Sequence, residues 1–95
     1  MRAERELFDD LGSKVILYME GPESTGRSGE FSCKIGLEGA GINKIAVLYG
    51  IDSMQALLMA VRHMGGFVEL QSEAIYPRRL LWGLGESETD FGLIP

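Results

Sequence analysis

The stretch Ile51-Asp52-Ser53-Met54-Gln55-Ala56-Leu57-Leu58-Met59-Ala60-Val61-Arg62-His63-Met64-Gly65-Gly66 decides the fold. Met54, Leu57, Leu58, Val61 and Met64 recur at i, i+3, i+4, i+7 and i+10, the spacing of one helical stripe. Asp52 is a good N-cap, and Gln55 three residues on completes a capping-box pattern. Gln55 and Arg62 lie opposite the stripe. Ala56 and Ala60 flank it and are small enough to let a helix approach a sheet closely. His63 falls where a cation suits the helix dipole, and Gly65-Gly66 supplies a stop. The spacing predicts one helix over residues 53–64.

Outward from the helix the period changes to two. Upstream, Asn43-Lys44-Ile45-Ala46-Val47-Leu48-Tyr49 is a strand, apolar on both faces, and is expected to be central or covered. Glu30 to Glu38 alternates, with Phe31, Cys33, Ile35 and Leu37 on one side and Glu30, Ser32, Lys34 and Glu38 on the other. Residues 21–29, with Pro22 and glycines, read as a loop. Lys14 to Glu20 is dense in β-branched and aromatic residues and reads as a strand. The turn-rich Asp9 to Ser13 makes residues 3–8 its hairpin partner, with a helical start as the other reading. Downstream, Phe67 to Leu70 is short and apolar, Gln71 to Arg79 is a polar loop, and Leu80-Leu81-Trp82 is a last short strand. The expected class is α+β: an antiparallel sheet of four to five strands, one main helix packed on one face, and a single domain over 1–95.

The composition suits that class. With 95 residues there is room for one core, and 13 glycines imply many turns. The net charge of −5 argues against nucleic acid and against anionic membrane surfaces as partners. The one cysteine, Cys33, excludes an internal disulfide and fits a reducing, cytoplasmic setting. The first ten residues carry no apolar signal-peptide core, and no run reaches the ~20 apolar residues of a spanning helix.

The run Gly50-Ile51-Asp52-Ser53-Met54-Gln55-Ala56-Leu57 resembles a G-[VI]-D-S-x-Q-A-L signature. That signature belongs to a family of small uncharacterised bacterial proteins, a domain of unknown function. Phe31-Ser32-Cys33 and Leu80-Leu81-Trp82-Gly83 correspond to two further landmarks of that family, whereas the ending Phe91-Gly92-Leu93-Ile94-Pro95 departs from it. The resemblance supports the fold and implies no activity.

No residue set points firmly to chemistry. Cys33 with His63 is the one thinkable nucleophile–base pair. Cys33, however, shares its strand face with Phe31 and Ile35, where a cysteine behaves as a small hydrophobe. Asp52 and Gln55 are the most distinctive polar pair, and reciprocal helix capping explains them. Glu86, Glu88 and Asp90 lack the spacing of a calcium loop and read as a solvated acidic segment. Gly36-x-x-Gly39-x-Gly41 and Gly83-x-Gly85 lack the strand–loop–helix setting of a phosphate loop. Trp82 near Arg78-Arg79 has the composition of a binding hot spot, but a core plug is the simpler reading. No catalytic, metal or cofactor residue is assigned, and no cofactor is expected.

Two function classes follow. The first is a non-catalytic binding or accessory protein working through protein–protein contacts. An immunity-like capture of a basic protein partner is its concrete form, because an acidic domain steers basic partners. The alternative is a small enzyme or ligand-binding domain with a pocket near Asp52, Gln55, His63 or Cys33. A homodimer is expected, since one helix leaves the other sheet face open and the apolar strand 43–49, with Phe91, Leu93 and Ile94, needs cover.

Overall fold

The computed structural model describes residues 1–78 and 80–81. Trp82, the glycines and carboxylates at 83–90 and the apolar ending at 91–95, to which several of the expectations above refer, lie outside the described residues. The elements run β1 (Arg2–Asp9), β2 (Lys14–Ser24), β3 (Phe31–Gly39), β4 (Ile42–Gly50), α1 (Ser53–Ala74) and β5 (Leu80–Leu81). They form a five-stranded sheet in the order β4-β3-β2-β1-β5, with every pairing antiparallel. The α+β class is therefore as expected, with α1 packed on one face against β2, β3 and β4.

Local chemistry sets the turns. Between β1 and β2, Asp9 Oδ1 accepts from the backbone N–H of Leu11 (3.0 Å) and Ser13 (2.8 Å), and Gly12 takes the left-handed conformation. Between β3 and β4, Ala40 (φ 53°) and Gly41 (φ 80°) both have positive φ, the conformation of a two-residue turn that matches strand twist. Residues 3–8 are strand, not helix, and β2 runs on to Ser24 through a register shift between Glu20 and Glu23. The expected loop at 21–29 thus begins later.

The helix differs most from its sequence reading. It does not stop at Gly65-Gly66 but spans 22 residues to Ala74, so Phe67 to Leu70 are helical and His63 is not in the last turn. Each mid-helix glycine costs about 1 kcal/mol relative to alanine. That cost is offset beyond them, where Val68 is fully buried among Leu7, Val15, Leu17, Leu37, Ile42 and Leu80. Burying a side chain of this size contributes about 2 kcal/mol.

The buried face is also rotated from the expected stripe. Ala56 and Ala60, expected to flank it, are fully buried over Met19, Cys33 and Ile35. Met54, Leu58 and Val61 are exposed. The reason is steric. A Cβ on Gly50 would lie 2.4 Å from the backbone N of Ala56, so the helix starts almost in contact with the end of β4. That close approach is at Ala56, where a small residue suits it.

One further expectation is overturned. The strand 43–49 is not central: β4 is the outer strand of the sheet, with Ala46 and Leu48 packed on the α1 side and Ile45, Val47 and Tyr49 exposed on the other. It packs against α1 but has only β3 as a strand neighbour among the described residues.

Candidate functional site

Strand parity sorts the sheet into two faces. Leu7, Val15, Leu17, Met19, Cys33, Ile35, Leu37 and Ile42 point toward α1 and make the core. The opposite face is open, and its cross-strand rows follow from the registers. One row is Glu4, Tyr18, Gly36 and Ile45; the next is Arg2, Glu20, Lys34 and Val47.

At the middle of this face the Arg2 guanidinium lies over the Tyr18 ring, 4.1 Å from its centroid. Arg2 donates to Glu4 (2.6 Å), to Glu20 and to Glu38 (2.9 Å), and Lys34 stands 3.5 Å from Glu20. The Tyr18 ring is buried because β3 carries no side chain beneath it: a Cβ on Gly36 would lie 2.3 Å from Tyr18 Cζ. The hydrogen bond from Arg2, then Lys34, holds the Glu20 carboxyl below the usual range. This is a closed arrangement in which each of these carboxylates already has a cation. The sequence signal for it was Gly36, which interrupts the polar side of an alternating strand.

A second polar contact crosses the molecule. Asp9 is 2% exposed and accepts from Arg78 Nη2 at 2.7 Å, while the same nitrogen donates to the Ala40 carbonyl at 3.1 Å. The Ser13 amide, followed by Arg78, keeps the Asp9 carboxyl low. It ties both hairpin turns to the segment after α1, and only the turn role of Asp9 was readable from the sequence.

The residues considered for chemistry do not converge. Asp52 Oδ1 accepts from Gln55 N at 2.7 Å, and Gln55 Oε1 accepts from Ile51 N at 2.8 Å, so this pair caps the helix. His63 Nδ1 contacts the Met59 carbonyl at 2.8 Å on the exposed side of α1. Cys33 is 1% exposed under the helix, its Sγ donates to the Glu20 carbonyl at 3.4 Å, and burial pushes its pKa up. A thiol so placed is a poor nucleophile. Among the described residues no group of three or more His, Cys, Asp or Glu is placed to hold a metal, and no helix is long and apolar enough to cross a membrane.

What distinguishes the surface is apolar. On β4, Ile45 is 54%, Val47 45% and Tyr49 57% exposed, all on the open face, with Ile51 beyond them. Glu38, Glu4 and Glu6 lie on the same face, the first two paired with Arg2 and the third with Lys14. On the helix side of β4 a groove of about 460 Å³ is lined by Ala46, Leu48, His63, Gly66, Phe67 and Leu70, among others.

Fold and surface together define a class: a small open-sheet α+β domain whose polar centre is internally satisfied and whose outer strand is not. The chain belongs to the family described as a domain of unknown function, DUF6968, whose family model matches residues 3–93. No curated protein and no solved structure matches it.

Proposed function

We propose that this protein is a non-catalytic binding protein that works through protein–protein contacts on the open face at β4. The observation that carries this reading is the row Ile45, Val47 and Tyr49, large apolar side chains exposed side by side on a regular strand. Such side chains scattered singly are ordinary, whereas a contiguous strip rimmed by charge has the anatomy of an interface. Beside the row, on β3, lie Lys34 opposite Val47 and Glu38 opposite Asn43, and the chain as a whole carries a net charge of −5. A basic protein is therefore the partner that fits, and immunity-like capture in a reducing cytoplasm is the concrete form of the proposal.

Affinity capture from the source cell tests it. A basic protein should be retained by the native chain and released by salt. Retention should drop at least tenfold, about 1.4 kcal/mol, with Val47→Gln combined with Tyr49→Ser. Equal retention by that variant overturns the reading.

A further inference from the structure

We infer that the outer edge of β4, an edge with no strand neighbour among the described residues, pairs with β4 of a second copy of this chain, antiparallel and two-fold symmetric about Ala46, with the Gly66 side of α1 completing the interface. The inference rests on the reading of β4 as a protein-contact surface and names one occupant for its edge.

The backbone carries the first step. Antiparallel ladders alternate between hydrogen-bonded and non-hydrogen-bonded pairs. Gly39 and Ile42 close a two-residue turn, so their pair is hydrogen-bonded and the even-numbered residues of β4 are the ones bonded to β3. The β1–β2 side agrees: Asp9 N donates to Ser13 O and Gly21 N to Met1 O, which leaves even residues of β2 for β3 and odd residues of β3 for β4. The N–H and C=O groups of Asn43, Ile45, Val47 and Tyr49 therefore point away from the sheet.

Pairing about Ala46 satisfies all four at once. Ile45 meets Val47 of the second copy and Asn43 meets Tyr49, each as a hydrogen-bonded pair. Shifting the centre to 45 or 47 strands one residue at an end. Lys44 faces Leu48 rather than another lysine, so the register sets no like charges opposite each other.

The helix carries the second step. A strand edge alone falls short of the ~1,000 Å² that a stable interface needs. The groove over Ala46 and Leu48 opens at the proposed axis, and Gly66 lines it. A Cβ on Gly66 would meet nothing within 4 Å among the described residues, so no contact among them explains a glycine there. A close-packed second helix would. Helix α1 runs antiparallel to β4, because its start sits at Gly50 and Val68 packs with Ile42. The two-fold therefore sets residues before Gly66 against residues after it. Arg62 of one copy then faces Glu69 and Glu73 of the other, three exposed residues on one side of the helix. The open-face strips of the two copies would also join into one longer strip, so the self-contact and the partner contact are compatible.

Three measurements on the full chain decide it. Sedimentation across micromolar concentrations should give twice the chain mass of 10.4 kDa. Val47→Pro removes an N–H that points outward, so the bonds to β3 and the circular dichroism should survive. Its dimer dissociation constant should rise at least tenfold. Ala46→Cys should form an interchain disulfide on mild oxidation, because facing residues of a non-hydrogen-bonded pair lie about 4.5 Å apart between Cα atoms. Buried Cys33 in the native chain is the control. A mass of one chain at every concentration, a dimer indifferent to Val47→Pro, or a link formed by Ile45→Cys or Val47→Cys in place of Ala46→Cys overturns the inference. A monomer that still captures a basic protein through Val47 and Tyr49 would overturn it while leaving the proposed function standing.

Discussion

The open face of the sheet holds two regions built on opposite rules. Across β1, β2 and β3, Arg2 lies on Tyr18, Tyr18 lies over Gly36, and Glu4, Glu20 and Glu38 each meet a cation. One strand further, Ile45, Val47 and Tyr49 stand in solvent. The first region shields an uncovered sheet with its own charges and one aromatic. The second has apolar area and outward backbone groups on which none of the described residues is placed. A surface that closes itself serves stability, and one left open beside it is where an external contact gains most.

The sharpest way to break the closed region is Gly36→Val. Its side chain would occupy the space of the Tyr18 ring, which is 4% exposed and would have to leave both its bed and the Arg2 stack. Overpacking of this kind costs about 2 kcal/mol. Urea denaturation should show it, and adding Tyr18→Ala should recover part of the loss. An additive double variant would mean that the ring and the glycine are not coupled.

Acid should loosen this region, and the buried Asp9 contact with Arg78, next. Arg2 holds the Glu20 carboxyl low, and the Ser13 amide and Arg78 hold Asp9 low. In both cases the folded pKa lies below the unfolded one. The unfolded chain therefore binds more protons, and the stability these groups add at neutral pH is lost as pH falls through about 4 and below. Glu20→Gln and Asp9→Asn should each flatten the acid limb of a stability–pH curve. A limb unchanged in either variant would sever that carboxyl from its assigned partners.

The helix gives a smaller effect of opposite sign. A Cβ on Gly65 would meet nothing within 4 Å, so Gly65→Ala should stabilise the chain by about 1 kcal/mol. Gly66→Ala should do the same for the separated chain while weakening self-association. That split, read by denaturation in dilute solution and by sedimentation, distinguishes a glycine kept for an interface from one that is merely tolerated.

Much of the fold was legible because period and capping are local. The helix start at Asp52 and Gln55 and the alternation of β3 needed no tertiary information. The helix end did not follow from Gly65-Gly66, because Val68 is drawn into a core assembled from five strands. The buried stripe was misplaced for a related reason. Ala56 faces the sheet where Gly50 brings the two backbones close, and Ala60 joins it over the same core cluster, whereas hydrophobicity alone favours Met54 and Leu58. The β4 strand was read as covered because two-sided apolar strands usually are. Its edge position depends on strand order, which no short stretch encodes. The site inherits that limit: its residues were visible, and their exposure was not.

The smallest effect on stability belongs to the open region. Val47→Gln removes a branched apolar side chain from a strand, a change that in the core would be costly. Val15, the same residue type at 0% exposure beneath α1, sets the contrast, since truncating a buried aliphatic there to alanine costs about 2 kcal/mol. At Val47, 45% exposed on the open face, the polar side chain keeps its solvent and leaves no cavity. The denaturation midpoint in dilute solution should therefore move by no more than the equivalent of about 0.5 kcal/mol. Partner capture should fall in the same protein. A large loss of stability would place Val47 among the residues that hold the fold, and the exposed row on β4 would then have a structural reason to be apolar without any partner.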